Sequence, residues 1–288
     1  MLAGILLGLS ASASWALANV VVQRAGRSVG ALPALFWALL VGIGLSAAGS
    51  AGLDAHTAPF TASIAVWLVV AGASGLLAYV CLFYAFEHGR LTLAVPIMSS
   101  WAVLSAGLSI VLFGERLSAG QLVGAAAVVA GAVVVARQSQ AAPSAAGATP
   151  VRRGWLPASF GAAFGFGVLM PAMRILSPVF GSVGTAGAVY AAALALAVPL
   201  AVAFRLRLAF PPRAAWPAIL LSGLFETLGS VCITMGARRA PLAIVSPLAS
   251  LAAAFTVAFA WAVLGERPAR GVLIGALLVS AGVVVLAL

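Results

Sequence analysis

The chain has 288 residues, 64% of them hydrophobic and only 7% charged. Soluble domains carry about 25% charged residues, so this composition excludes a soluble globular fold and makes the bilayer the solvent. The net charge of +10 comes from 15 basic residues, all arginine, against 5 acidic ones; they sit in short gaps between apolar runs, which is membrane-edge placement and excludes a nucleic-acid groove. Arginine without lysine, beside abundant alanine and glycine, matches the coding bias of a GC-rich bacterial genome and points to a bacterial inner (plasma) membrane.

A crossing needs about 20 apolar residues. Ten stretches qualify: 2–22, 31–50, 63–85, 92–113 and 119–136, then 155–175, 183–204, 214–236, 242–264 and 270–287. The first follows no charged segment and has helix length, so it reads as a transmembrane helix and not a cleaved signal. Between the fifth and sixth lies the polar, Pro/Ala/Ser-rich segment 138–153, which has linker chemistry and no apolar period. The expected architecture is all-α and integral to the membrane, with ten transmembrane helices. It divides into a first five-helix repeat over 1–137, a linker over 138–153 and a second repeat over 154–288.

The division rests on a duplication. Residues 96–136 and 247–287 align without a gap at a constant offset of 151, pairing Pro96 with Pro247, Gly114-Glu115-Arg116 with Gly265-Glu266-Arg267, and Gly120, Gly124 and Gly131 with Gly271, Gly275 and Gly282. Five helices is an odd number, so a second copy of the same fold sits upside down relative to the first. Inverted repeats are the architecture of secondary transporters, with a site near the midplane between the halves. Close glycine spacings, such as Gly72 to Gly75 and Gly161 to Gly165 to Gly167, suit tight helix packing in lipid. Arginine placement favours both termini outside: a cytoplasmic N-terminus would leave only Arg116, Arg174, Arg238 and Arg239 on the cytoplasmic side, against the other eleven.

The doubled signature resembles the EamA-type family of the drug/metabolite transporter superfamily. It reads Ala94-Val95-Pro96, Gly114-Glu115-Arg116, Gly124 and Gly131, and recurs as Val245-Ser246-Pro247, Gly265-Glu266-Arg267, Gly275 and Gly282. The resemblance covers the whole chain. It implies both termini in the cytoplasm, export of amino acids, other metabolites or toxic compounds, and a central cavity between the halves.

Glu226 stands out among the polar residues. It falls mid-way along 214–236, and its repeat partner is Gly75, so duplication does not explain it. An acid at membrane depth costs several kcal/mol and faces a cavity or a partner. It reads as a site for a substrate amine or a coupling proton, with a hydrogen-bonded packing role near Thr227 or Ser230 as the alternative. Asn19 reads either as glue between helices or as a substrate contact. Trp15, Tyr79, Tyr84, Trp101 and Phe166 form an aromatic set, of which Trp15 and Trp101 lie deeper than an interface belt. Together Trp15, Asn19, Tyr79, Trp101 and Glu226 are the candidate cavity residues.

Pro96 and Pro247 each remove a helical hydrogen bond early in a span, either kinking a helix that lines a cavity or sitting harmlessly in a first turn. Glu115 and Glu266 are placed to cap the helix that follows each of them, with a gating or proton role as the alternative; Arg116 and Arg267 complete the two motifs. Arg174 reads as snorkelling to the interface or meeting a substrate carboxylate. Cys81 and Cys232 read as small apolar helix residues. His56 beside Asp54, and His88 beside Glu87, read as solvated loop residues. No metal site and no cofactor is expected.

The leading function is a secondary transporter exporting small metabolites such as hydrophobic or neutral amino acids, with the lipid bilayer and protons as further partners. With no lysine and at most one inward arginine, phosphorylated substrates fit poorly. The alternatives are a non-transporting membrane subunit or lipid flippase component, and an integral-membrane enzyme. The dispersed acids and histidines offer an enzyme no catalytic constellation.

Overall fold

A computed structural model describes residues 2–53, 58–89, 91–116, 118–141, 154–205, 210–264 and 270–287. Every regular element among them is helical. In chain order these are α1 (Leu2–Val29), α2 (Ala31–Leu53), α3 (Ala62–His88), α4 (Leu91–Met98), α5 (Trp101–Phe113), α6 (Ala119–Ala141), α7 (Trp155–Ala203), α8 (Trp216–Ala237), α9 (Leu242–Ser250), α10 (Ala252–Leu264) and α11 (Arg270–Ala287). A single 3-10 turn, Arg213–Ala215, leads into α8.

Six helical stretches among the described residues are long and apolar enough to cross a bilayer: Leu2–Gln23, Leu32–Ser50, Ala62–His88, Leu91–Phe113, Trp155–Ala203 and Arg213–Ala237. The outer surface carries exposed Val66, Val111, Leu122 and Leu277, the apolar exterior that lipid requires.

Two expected spans take a different form. The stretch 92–113 is broken into α4 and α5 at Ser99–Ser100, and 242–264 into α9 and α10 at Leu251. The expected helices 155–175 and 183–204 are both present and meet directly at a kink; together they are α7, 49 residues in length. A straight helix of that length would run about 74 Å, more than twice the hydrocarbon thickness. The backbone turns instead at Gly181, with φ 71° and ψ 179°, a conformation that only glycine adopts without strain. The carbonyl of Pro178, released by the turn, accepts from the Ala58 N–H at 3.2 Å. Two helices thus meet at Gly181, with a kink in place of the longer loop that the sequence suggests.

Packing follows the small residues. Along the contact of α3 with α7, a Cβ on Gly72 would lie 2.7 Å from Ala192, and one on Gly165 would lie 2.7 Å from the Ser74 carbonyl. Helix α6 lies against α11 in a reciprocal contact: Gly131 abuts the Gly275 carbonyl and Val279 N–H, while Gly282 abuts the Gly124 carbonyl and Val128 N–H. Shifting one contact by 151 residues gives the other with partners exchanged, as a two-fold relation requires. Ser99 and Ser250, also 151 apart, touch each other directly: Ser99 Oγ donates to the Ser250 carbonyl at 3.3 Å. Residues that meet their own repeat image lie at such an axis, so the two helix breaks face one another at the centre of the bundle.

Candidate functional site

The breaks arise three to four residues beyond the repeated prolines. Pro96 has no N–H to donate, and the run of helical bonds tightens after it. Ser100, Ala102 and Val103 bond to carbonyls three residues back, at 3.2, 3.3 and 3.1 Å, as do Leu251 and Ala254 in the second copy, at 3.3 and 3.0 Å. Serine hydroxyls satisfy the loosened carbonyls: Ser99 donates to Val95 at 3.0 Å, Ser100 to Ile97 at 2.8 Å, and Ser250 to Pro247 at 2.9 Å.

Where the breaks meet α1, α7 and α8, a small cavity of about 50 Å³ opens. Trp15 and Asn19, one turn apart on α1, share one wall. Glu226 enters from the middle of α8, Trp101 from the start of α5, and Phe166 from α7. The broken ends contribute Met98, Ser99 and Ser250; neither Pro96 nor Pro247 is among the lining residues. The prolines act on the cavity through the breaks they provoke.

Glu226 stands between this cavity and a second, narrower void lined by Asn19, Tyr79, Tyr190, Ser222 and Thr227. The Tyr79 hydroxyl donates to Glu226 Oε1 at 3.0 Å. Thr227 and Ser230, the partners suggested by sequence proximity, are engaged elsewhere: Thr227 donates to the Gly223 carbonyl at 2.7 Å, and Ser230 accepts from the Tyr190 hydroxyl at 2.9 Å. Thr227 is turned away from Glu226 by the helix, and Ser230, one turn on, is taken by Tyr190, which leaves Tyr79, 147 positions away, as the partner. The Tyr79 ring stands perpendicular to Phe166 at 5.4 Å, and the Trp15 and Trp101 rings meet edge to face at 6.2 Å. Trp15 Nε1 lies near the Glu226 carboxyl but outside hydrogen-bond geometry, and is buried without a partner. Asn19 Nδ2 donates to Thr256 Oγ1 on α10 at 3.1 Å, so Asn19 both joins two helices and lines the cavity.

The Gly-Glu-Arg motif differs from the local reading. Gly114, with φ 66°, ends α5; its N–H bonds the Ile110 carbonyl at 3.1 Å and the Glu115 N–H bonds that of Ser109 at 3.4 Å. Glu115 does not cap the following helix. Its two oxygens accept from the Leu242 and Ala243 N–H groups, at 3.1 and 3.0 Å, at the start of α9. Helix α6 has a cap of its own, in which Ser118 N–H bonds the Gln121 side chain at 2.8 Å and Gln121 N–H bonds Ser118 Oγ at 3.2 Å. Arg174 neither ends a helix nor meets the cavity. It lies within α7, pairs with Glu115, and rests 4.0 Å from the centroid of Phe113. Arg116 is exposed. Glu266 and Arg267 lie outside the described residues, as do His56 and Asp54.

Tyr84 stacks on His88 at 4.1 Å at the protein surface, apart from the rest of the aromatic set. Cys81 and Cys232 are separate free thiols. Among the described residues no three His, Cys, Asp or Glu side chains come together to hold a metal. Sequence reasoning misses Met98, Met170, Ser99 and Ser250 as lining residues. The identity of Ser99 and Ser250 at repeat-equivalent positions is the signal that could have found two of them.

Comparison with known proteins adds a family. The model of the EamA-like transporter family matches twice, over residues 2–137 and 153–288. No curated protein matches the sequence. Among solved structures, one crystal structure superposes with a TM-score of 0.67 at 22% identity, covering 98% of this chain and 96% of its own. At that identity the likeness concerns the fold alone.

Proposed function

The chain belongs to the EamA-like transporter family, and from that premise we propose that it is a secondary transporter whose substrate site is the cavity beside Glu226. It exports small neutral, zwitterionic or cationic metabolites with an apolar part, hydrophobic amino acids and their relatives among them, across a bacterial inner membrane. Ten crossings are arranged as two inverted halves, 1–137 and 154–288, joined by the linker 138–153. The reciprocal α6–α11 contact and the meeting of Ser99 with Ser250 support this arrangement. Transport proceeds by rocking of the halves about the facing helix breaks, with protons as the coupling ion at Glu226.

The observation that carries the reading is an acidic side chain, held by Tyr79, at a cavity formed where broken helices meet. Non-helical backbone at membrane depth is tolerated where it lines a cavity, and transporters use it at their substrate sites. The test is counterflow in proteoliposomes preloaded with a pooled panel of amino acids and related metabolites, with and without a pH gradient. Saturable exchange that responds to the gradient supports the proposal. Absence of exchange for every solute, with the protein folded, overturns it in favour of a non-transporting partner subunit.

A further inference from the structure

The groups that the cavity offers a ligand are unequal in kind, and their inventory narrows the substrate. We infer that the cavity selects organic cations, amines on an apolar body, over the corresponding zwitterions and neutral molecules. The inference rests on the transporter reading above and names the substrate class of the same site.

Charge comes first. Glu226 is the titratable side chain of the lining, and no cation lines the cavity among the described residues. Arg174 is committed to Glu115 and Phe113. A ligand carboxylate would therefore meet the Glu226 carboxylate with no opposite charge to receive it, and a buried unpaired charge is heavily penalised.

Hydrogen-bonding capacity points the same way. The protons of Ser99 and Ser250 are used on backbone carbonyls at their own helix breaks, so their hydroxyls present lone pairs to the cavity. Asn19 uses one amide N–H on Thr256, which leaves its carbonyl oxygen as an acceptor and one N–H as a donor. Tyr79 gives its proton to Glu226. Two donors are left over, the second N–H of the Asn19 amide and the indole N–H of Trp15, which lies beside Glu226. Acceptors outnumber donors around a negative charge, which suits an ammonium with its several N–H groups and starves a carboxylate.

The apolar walls complete the match. Trp15 and Trp101, set edge to face, and Phe166 line the same cavity as Glu226. A ring face attracts a cation, and tryptophan does so best. Discrimination then comes from the repulsive element, the carboxylate facing a carboxylate, as much as from the attraction.

The test uses the purified full chain in micelles, with equilibrium binding of radiolabelled tryptamine. Tryptophan, which adds only a carboxylate, and the neutral alcohol indole-3-ethanol serve as competitors, and proteoliposome counterflow of all three runs in parallel. Tryptamine is expected to bind at least tenfold more tightly than either competitor. Glu226→Gln should abolish the preference, and Trp101→Leu should weaken tryptamine severalfold more than indole-3-ethanol, each variant eluting as a folded protein. Tryptophan bound or exchanged as well as tryptamine would overturn the cation inference and leave the transporter reading intact. The cation inference also falls if indole-3-ethanol matches tryptamine, or if Glu226→Gln keeps the preference. Exchange of other metabolites but not of these three also overturns the inference alone; no exchange of any solute overturns both.

Discussion

Glu115→Gln tests whether a family motif residue acts across the bundle and not on its own helix. The native carboxylate accepts from two backbone N–H groups at the start of α9 and pairs with Arg174 of α7. Its side chain is 12% exposed and that of Arg174 is 26% exposed. A hydrogen bond to a charged group contributes about 1.5–3 kcal/mol, and an amide can replace only one of the two acceptors, without the charge. Partial exposure of Arg174 discounts the ion pair. The expected cost of Glu115→Gln is about 2–3 kcal/mol, and its coupling to Arg174→Gln about 1–2 kcal/mol. Reversible unfolding in mixed micelles of the two single variants and the double variant measures both quantities. Hydrogen exchange gives a second readout: the amides of Leu242 and Ala243 should lose protection, while those at the start of α6, capped by Ser118 and Gln121, should keep theirs. Additivity of the two substitutions within about 0.5 kcal/mol, or lost protection in α6 in place of α9, would refute the reasoning.

Other substitutions probe the packing that holds the cavity. Gly131→Ala places a Cβ 2.7 Å from the backbone of Gly275 and Val279, which cannot yield without parting α6 from α11. It should destabilise by about 1–2 kcal/mol despite alanine's better helix propensity. Gly107→Ala meets nothing within 4 Å and should be neutral or stabilising by up to about 1 kcal/mol in the same unfolding assay. Gly181→Ala forces a side chain into the left-handed turn of α7 and should cost about 1–3 kcal/mol, read as a lowered thermal midpoint in detergent. Tyr79→Phe keeps the ring contacts with Phe166 and Tyr190 but removes the donor to Glu226; a loss of about 1–2 kcal/mol is expected in the micelle assay, and unchanged stability would contradict the hydrogen bond.

Much of this protein is legible in its sequence because lipid leaves the chain few options. Apolar runs must be helical, and an acid among them must have a reason, so Glu226 declares itself. The structure brings Trp15, Asn19 and Trp101 to the same cavity as Glu226, and joins Tyr79 to its carboxyl. The register of Gly124, Gly131, Gly275 and Gly282 is readable as a repeat, but not the contact in which they exchange partners. Local rules fail where the partner is distant. They assign Glu115 to the nearest helix start, although the Ser-x-x-Gln pattern of Ser118 and Gln121 already fills that position. Its real partners lie 127 and 128 residues away, and no local pattern encodes them. Proline and glycine mark special backbone without disclosing its form. Pro178 and Gly181 suggest a loop, yet two helices meet there at one kinked residue, while Pro96 and Pro247 break theirs three to four residues downstream.

The central claim, that the Glu226 cavity opens in turn to each side of the membrane, is tested most directly by a single cysteine within it. Met98→Cys in a background with Cys81 and Cys232 replaced by serine puts one thiol on the cavity wall. A membrane-impermeant maleimide is applied to either face of oriented proteoliposomes. The account predicts labelling from both faces, with a saturating ligand slowing one face more than the other. Labelling from one face only, whatever the ligand, would contradict alternating access and leave a fixed pocket.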